Sequence, residues 1–477
     1  MVEKKYYFTI GLEVHAELAT RTKMFCGCKN NPDEEKPNIN ICPVCMAHPG
    51  ALPVLNKKAV ENVIKVGLAV DGTIADFTEF DRKNYFYPDI PKGYQISQYK
   101  CPIVSGGSLA GFNITRVHLE EDTANNKHDR GDFSLIDFNR SGVPLMELVT
   151  KPCTFESMEE AANAGTKFAK EFQLLLWYLN VSEANMEKGE MRVEVNISVS
   201  KDSKILGTKV EVKNLNSFRS VERAIKYELG RMKELIEENK VDEIVQETRG
   251  WDEGKQKTFS QRKKESSQDY RYFPDPDLPK LKLHEAFDLA KMKKKLPELP
   301  EAKRVRYKKD FGIKDEDIEV YINDTELGTW FEEISRILLD KDKIKIVSNY
   351  ITTDFMGLKK ANLDIQCPSA NNMAELSSMI VEGKISSRSA KDILAMIVLK
   401  DASPLKIAKE NNLLQSNDTE ALKAIAQKII DSNPKVVADY KGGKEQALMS
   451  LVGQIMKETK GSANPTITKQ ILKNMLK

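Results

Sequence analysis

The chain has 477 residues, of which 40% are hydrophobic and 30% charged, and its formal net charge at pH 7 is +2. This length predicts two to four domains with substantial cores, and the composition is typical of a soluble globular protein. No apolar run of about 18 residues and no signal-peptide core occurs, so we expect a cytoplasmic protein without a membrane span. Seven cysteines in that compartment argue against a disulfide framework and favour metal binding or packing.

The first predicted element is a strand near the N-terminus with the sequence TIGLEVH. In a strand, alternate side chains share a face, so three apolar residues point one way while Glu13 and His15 project together from the other face. A carboxylate beside an imidazole on rigid backbone is a suitable start for a divalent-cation site. The alternative is an ordinary ion pair on a half-exposed strand.

Two close pairs of cysteines follow. Cys26 and Cys28 form the first pair, and Cys42 and Cys45 form the second after a polar loop. This spacing is what a tetrahedral zinc ion requires, because each pair can grip the metal and the loop brings the pairs together. Four protein ligands leave no open position, so the pattern predicts a structural zinc ion. The alternative is a metal-free loop with four reduced thiols.

Three later stretches place polar side chains where chemistry is possible. Residues 80–99 interleave aromatics with Arg and Lys, which suits base stacking and phosphate binding but is equally typical of a small satellite core. Residues 114–122, ITRVHLEED, predict a strand with Glu120 on one face and Glu121 on the other. Acids at the end of a strand are typical of a cation site and equally of a solvated edge. Prolines in residues 268–277 predict a loop or an edge strand.

A predicted hairpin carries the densest charge pattern. Its strands cover residues 190–199 and 208–214, and apolar residues line one face of each. The other face carries acids, cations, an amide and a hydroxyl group, namely Arg192, Glu194, Asn196, Ser198, Lys209, Glu211 and Lys213. Such a face is denser in charge than solubility requires, and cross-strand ion pairs are the structural alternative.

Helical periodicity predicts helices over residues 56–70, 157–179 and 216–239, and the chain from about residue 301 onward is helical with few breakers. Beyond Pro404 the predicted helices are short and basic. The last 47 residues contain eight Lys against four acidic residues. A basic tail on a nearly neutral protein indicates a phosphate-bearing partner.

Several of these stretches together resemble the B subunit of the glutamyl/aspartyl-tRNA amidotransferase. The resemblance covers essentially the whole chain and rests on the motifs IGLEVH, FDRKNYFYPDIPKGYQISQ, ITRVHLEED, DFNRSGVPLMELV, VEVKNLNSF, DYRYFPDPDLP, and LVGQIMK with SANP. It implies an α+β cradle domain with a mixed or antiparallel sheet over residues 1–290. An all-α helical domain over residues 291–404 and a small α-helical, tRNA-binding tail domain over residues 405–477 would follow.

The resemblance also implies an activity and partners. The family's B subunit works in a heterotrimer with an amidase A subunit and a small C subunit, as a ligase that forms carbon–nitrogen bonds (EC 6.3.5.-). It uses ATP to phosphorylate the side-chain carboxylate of Glu-tRNA(Gln) or Asp-tRNA(Asn), and ammonia from glutamine then displaces the phosphate. This sequence has no recognisable amidase residues of its own, so ammonia is expected from a partner.

The site residues are carried over from the family's motifs. Around Mg²⁺ the resemblance places Glu13, His15, Glu120, Glu121, Glu194 and Glu211, with Glu13, His15, Glu121, Glu211 and Lys213 as the catalytic set. For the nucleotide or the aminoacyl end it implies Lys83, Tyr85, Tyr87, Lys213 and Arg271. No Walker A motif is present, so the phosphates are expected to be held by Mg²⁺ and these cations. Some relatives lack the four cysteines, which implies that zinc stabilises the N-terminal loop.

Two other functions compete with this interpretation. A non-catalytic tRNA-binding scaffold is disfavoured by the charged face of the hairpin, which a scaffold does not need. Amidation of a free amino acid is disfavoured by the basic tail, for which such a substrate offers no phosphate.

Overall fold

A computed structural model of the chain describes residues 5–127, 131–263, 270–362, 364–415, 419–459 and 463–476. The chain divides into two compact units, of which the first ends at Pro300 and the second begins at Glu301. The first unit is built on a mixed sheet with helices, and the second is helical, which confirms the predicted fold class. Within the described ranges, every helix is too short or too polar to traverse a lipid bilayer.

Strands dominate the first unit. In chain order they are β1 (Tyr7–Glu17), β2 (Thr73–Ile74), β3 (Phe77–Thr78), β4 (Asp81–Asn84), β5 (Tyr94–Ser97), β6 (Val104–Ser105), β7 (Ser108–Leu109), β8 (Phe112–Glu121), β9 (Asn125–Lys127), β10 (Leu135–Asp137), β11 (Pro144–Thr150), β12 (Cys153–Phe155), β13 (Met191–Ser200), β14 (Val210–Leu215), β15 (Glu247–Asp252), β16 (Lys257–Lys263), β17 (Phe273–Pro274) and β18 (Leu281–Lys282). The main sheet runs in the order β16-β15-β14-β13-β1-β11-β8-β6-β2, with β12 beside β1 and β7 beside β8. It is antiparallel except between β14 and β15, which are parallel.

The helices of the first unit are α1 (Lys57–Ala69), α2 (Met158–Tyr178), α3 (Phe218–Glu237), α4 (Leu283–Ala286) and α5 (Leu289–Lys294). The three long helices begin where a polar side chain caps the first turn, which confirms the predicted starts. Asn56 accepts from the backbone N–H groups of residues 58 and 59, Ser157 from that of residue 160, and Ser217 from that of residue 220.

One face of the main sheet packs against these helices. The side chains of Ile10, Leu12 and Val14 in β1 are fully buried there, as their alternation predicts. Helix α2 lies close to the sheet and to α3 because Gly165 has no side chain. A Cβ atom at that position would stand 2.8 Å from Ile225 Cδ1 and 3.2 Å from Ile10 Cδ1. This packing leaves the opposite face of the sheet available for polar side chains.

The register of neighbouring strands decides which polar side chains meet on that face. His15 in β1 lies opposite Glu147 in β11, and Glu147 lies opposite His118 in β8. On the other side of β1, Glu13 lies opposite Glu194 in β13. Directly opposed side chains on one face are close neighbours, so distant parts of the sequence are brought into contact.

The aromatic run at residues 80–99 is more regular than its composition indicates. Strands β4 and β5 lie within it and pair with each other, while β17 pairs with β4 to complete a small three-stranded sheet. The prolines of residues 274–276 limit β17 to an edge position, as predicted. Residues 268 and 269 of that stretch lie outside the described residues.

The second unit is helical. Its α-helices are α6 (Pro300–Arg306), α7 (Asp315–Asn323), α8 (Thr325–Leu338), α9 (Lys341–Asn349), α10 (Met356–Ala361), α11 (Ala370–Val381), α12 (Ser387–Ile397), α13 (Pro404–Glu410), α14 (Thr419–Ser432), α15 (Pro434–Lys441), α16 (Glu445–Glu458) and α17 (Pro465–Met475). Short π-helical segments follow α6 and α9. Helices α14 to α17 share a small core of their own, with fully buried residues such as Leu451 and Leu472.

Candidate active site

The polar face of the main sheet gathers two groups of acidic and imidazole side chains. In the first group, His15 Nε2 lies 3.5 Å from Glu147 Oε2 and 3.6 Å from Glu120 Oε1. His118 Nε2 approaches the same Glu147 oxygen at 3.4 Å. Potential ligand atoms of His15, Glu120 and Glu147 all lie within 4.8 Å of one another. The cross-strand register of β1, β11 and β8 therefore builds a compact cluster of metal-binding atoms.

The second group consists of Glu13, Glu194 and Glu211, whose ligand atoms also lie within 4.8 Å of one another. The amide of Asn196 donates to Glu13 Oε1 at 2.7 Å. The ammonium of Lys213 lies 2.7 Å from Glu194 Oε2 and 3.9 Å from Glu211 Oε1. These partners hold in place three carboxylates that repel one another.

Both groups line one cavity of about 260 Å³. Lys83, Tyr270 and Tyr272 also line it, and the Tyr272 ring stacks on Tyr99 with centroids 4.4 Å apart. The Lys83 ammonium lies 5.1 Å from the centroid of the Tyr270 ring. The cavity thus combines two acidic groups with cations and flat aromatic surfaces, which suits a ligand that has both a planar and an anionic part.

Burial and mutual repulsion shift the pKa values of these groups. Burial, followed by repulsion from Glu147, Glu194 and Glu211, raises the pKa of Glu13, although the Asn196 hydrogen bond opposes this. Burial works against a charged His15, but the hydrogen bond and attraction to Glu147 and the other nearby acids raise its pKa to about 9. Nearby carboxylates contribute to the rise in both pKa values, and a bound cation would offset this negative charge.

Several buried polar atoms of this site have no hydrogen-bond partner among the described residues. They are Oε2 of Glu120, Nδ1 of His118, Oδ1 of Asn196 and Nε of Arg116. Such atoms are costly to bury unless something else satisfies them. Carboxylate oxygens and imidazole nitrogens are suitable ligands for a divalent cation such as Mg²⁺. The unpartnered oxygen of Glu120 and the convergent ligand atoms of both groups therefore fit bound divalent cations.

Most of the predicted site residues meet in this cavity. Glu13, His15, Lys83, Glu120, Glu194, Glu211 and Lys213 all line it. Tyr85 lies next to it, with its ring 6.0 Å from that of Tyr270 and 5.8 Å from the Lys83 ammonium. Tyr87 is 58% exposed, and Arg271 is exposed as well, so neither is part of the cavity wall.

Glu121 lies apart from both groups. It points to the face of β8 opposite Glu120, and its carboxylate accepts from the Ile96 N–H at 2.9 Å. Lys92 Nζ lies 2.6 Å from its Oε1. It lines a different cavity, together with Cys26 and other residues of the cysteine loop. We therefore leave Glu121 out of the proposed cation-binding groups.

Glu147, which lies between two histidines at the centre of the first group, is not among the residues predicted from the sequence. Its strand β11 reads PLMELVT, with a single acid among apolar residues. A lone carboxylate in a buried strand was the available signal, because burial of a charge requires partners. His118 and Tyr272, which also line the cavity, were likewise not selected.

The four cysteines of the N-terminal loop also meet. Sulfur atoms of Cys26, Cys28, Cys42 and Cys45 lie within 4.8 Å of one another. The Cys42 N–H donates to Cys45 Sγ at 3.1 Å. A hydrogen bond with Cys26 lowers the pKa of Cys45 to about 5 against the effect of burial, and the nearby Lys23 ammonium contributes to this. Four convergent sulfur atoms, one of them readily ionised, fit a tetrahedral zinc ion.

Comparison with known proteins identifies the class of domain that contains this cavity. A family model described as the GatB/GatE catalytic domain matches residues 8–288, which contain the whole cavity, and one described as the GatB domain matches residues 329–476. The first unit is thus a catalytic domain of the GatB/GatE type.

Similar proteins of full length specify the family. Proteins named as the B subunit of the aspartyl/glutamyl-tRNA(Asn/Gln) amidotransferase are 41% identical in Crocosphaera subtropica, over 100% of this chain and 98% of the relative, and 43% identical in Thermoanaerobacter sp. strain X514, over 99% of each. A Synechocystis relative of the same name is 42% identical. The chain belongs to this family of amidotransferase B subunits, which are parts of glutamine-dependent ligases, and the predicted resemblance is confirmed.

Proposed function

We propose that this chain uses ATP to phosphorylate the side-chain carboxylate of Glu-tRNA(Gln), Asp-tRNA(Asn) or both, and that ammonia then displaces the phosphate to give the amide. The observation that supports it most is the single cavity in which two acidic groups face Lys83 and aromatic rings. Transfer of a phosphoryl group to a carboxylate brings anions together, so the site must hold cations where this charge develops.

The two acidic groups would hold divalent cations, for which we propose Mg²⁺. His15, Glu120 and Glu147 would bind one ion, and Glu13, Glu194 and Glu211 would bind another. Bound Mg²⁺ supplies charge neutralisation and orientation of the phosphate oxygens. The chain's own Lys83 and Lys213 add positive charge inside the cavity. Burial lowers the pKa of each ammonium group, but nearby carboxylates outweigh this and raise both pKa values, so the two lysines stay charged.

The aromatic wall would hold the planar part of the substrates. Tyr272 presents a ring already stacked on Tyr99, so the surface is held in place before a ligand arrives. Tyr85 is close enough to support Lys83, whereas Tyr87 and Arg271 lie outside the cavity wall and would contact the nucleotide or the aminoacyl end only from its rim. A base or ribose against such a wall leaves the phosphates directed toward the cations.

Ammonia would come from a partner. We propose an amidase A subunit that hydrolyses glutamine and a small C subunit that completes a heterotrimer, in the cytoplasm. Within this chain we propose residues 1–290 as the catalytic cradle domain, residues 291–404 as a helical domain and residues 405–477 as the tRNA-binding tail domain.

One assay tests this proposal directly. The chain is purified with its partner subunits and given ATP, glutamine and each misacylated tRNA, and ADP and the amide are measured. We expect ADP formation that requires both the misacylated tRNA and Mg²⁺. Binding of tRNA with no ATP turnover under any of these conditions would instead indicate a scaffold that only presents the substrate.

We also propose that Cys26, Cys28, Cys42 and Cys45 hold one structural zinc ion. We expect about one zinc per chain by elemental analysis, and only traces in Cys42→Ser, because three remaining thiolates bind zinc far less tightly. Cys367→Ser is the matched control, since Cys367 is exposed and outside the cluster. A wild-type chain purified under reducing conditions without zinc would contradict this assignment.

A further inference from the structure

Lys23 is a fully buried lysine next to the cysteine cluster. Its side chain is 0% exposed. Its Nζ donates to the carbonyl oxygen of Asn40 at 2.7 Å and to that of Phe138 at 3.0 Å, and it lies 4.0 Å from Cys45 Sγ. An ammonium group has three N–H donors, so two neutral carbonyls and one sulfur account for all of them.

The charge on Lys23 lacks the usual partner. Within the described ranges, no carboxylate forms an ion pair with its Nζ, whereas the nearby buried Asp122 has Arg140 and Arg192 as cationic partners. A buried charge is costly unless an opposite charge compensates it. Carbonyl oxygens offer partial charges only. Among the residues that the structure describes, the neighbour of Nζ that can carry a full negative charge is the sulfur of Cys45.

We infer that Lys23 is the counter-ion of the zinc–thiolate centre and that it raises the affinity of the four cysteines for zinc. This inference rests on the zinc site proposed above. A zinc ion with four thiolates carries a net charge of about −2, which is unfavourable in a partly buried loop. The Lys23 ammonium offsets part of this charge. Groups that surround a metal's ligands commonly change its affinity by about 10- to 100-fold.

The same side chain also holds the loop to the rest of the fold. Asn40 belongs to the cysteine loop, and Phe138 lies between β10 and β11. Lys23 therefore joins the cysteine loop to the turn that leads into β11. Loss of zinc affinity on replacement of Lys23 would follow from either role, so the experiment must separate charge from anchoring.

The test compares zinc dissociation constants of full-length chains, measured by competition with a chelator of known affinity. We expect Lys23→Met to bind zinc at least about tenfold more weakly than wild type. Lys23→Arg, which keeps the charge, should stay within about threefold of wild type. Lys29→Met is the matched control, because Lys29 is in the same loop but exposed, and it should bind zinc like wild type.

A double-mutant cycle with Cys28→His then isolates the charge. This change lowers the negative charge of the centre by one and keeps a four-ligand set that zinc accepts. If Lys23 acts as a counter-ion, the factor by which Lys23→Met weakens zinc binding should be at least about threefold smaller in the Cys28→His background than in the wild-type background. If Lys23 only anchors the carbonyls, the cost should be the same in both backgrounds.

The outcomes are distinguishable. A wild-type chain without zinc contradicts the zinc site itself. Zinc in the wild type with unchanged affinity in Lys23→Met, or an equal loss in both backgrounds, overturns the counter-ion role alone. Should Lys23→Met not fold, folding of Lys23→Arg but not of Lys23→Gln in the presence of zinc supports the role, and failure of Lys23→Arg to fold as well overturns it.

Discussion

Glu147→Gln should reduce ATP-dependent phosphorylation of the misacylated tRNA by at least about a hundredfold. Glu147 lies between His15 and His118, at 3.5 and 3.4 Å from their Nε2 atoms, and would hold one of the proposed cations. The amide is nearly the same size but carries no charge, so it removes an anionic ligand without leaving a cavity. The measurement is ADP release by the assembled complex at saturating ATP and tRNA.

Two comparisons make this result specific. Glutamine hydrolysis by the partner subunit should persist in the Glu147→Gln complex, which shows that the complex still assembles. Glu234→Gln is the matched control, because Glu234 is an exposed carboxylate on α3, the helix packed on the other face of the sheet. ADP release by the Glu234→Gln complex should equal that of wild type. Undiminished ADP release by Glu147→Gln would mean that the first acidic group does not bind a cation needed for the reaction.

Removal of the chain after residue 415 should weaken tRNA binding by at least about tenfold and flatten its salt dependence. The segment from Thr419 onward forms its own small core, so the cut leaves the preceding helices with their own packing. Its exposed lysines would contact phosphates, and each lost contact makes the slope of log affinity against log salt concentration shallower by about 0.7 to 0.9. Filter binding across a series of salt concentrations measures both quantities.

A pair of point variants checks that charge is responsible. Lys457 and Lys469 are exposed in the tail, and neither forms an ion pair with a described residue. Lys457→Gln/Lys469→Gln should reduce the salt slope by up to about 2 without unfolding the tail. Lys201→Gln/Lys204→Gln is the control, since both lysines are exposed on the loop between β13 and β14. Equal slopes for the two double variants would contradict a role of the tail lysines in phosphate binding.

Local patterns predicted much of the catalytic unit. Alternation in residues 9–15 correctly placed Glu13 and His15 on the face opposite the buried Ile10. Apolar periodicity located the three long helices to within two residues of their observed starts, and the capping pattern identified Ser157 as the N-cap of α2. These features depend on residues a few positions apart, because side-chain alternation and the capping pattern at Ser157 are visible in the amino-acid order. The clustering of the four cysteines followed in the same way from their spacing.

The place of Glu147 in the site could not be predicted from such local patterns. Glu147 enters the site because β11 pairs with β1 on one side and with β8 on the other, which joins residues 15, 118 and 147. Alternation already placed Glu121 on the face of β8 opposite Glu120, and the structure adds its partners there, Lys92 and the Ile96 N–H, which come from β5 and the turn before it. Period-two alternation tells which residues share a face, but it carries no information on which strand is the neighbour.

The amino-acid order therefore specified the polar face of each strand, the cysteine cluster and the family, whereas the pairing of strands specified which acids form a common site. The physical reason is the range of the forces involved. Side-chain direction is a local property of the backbone, but strand order results from burial of the whole helix-facing surface of the sheet, to which residues throughout the first unit contribute.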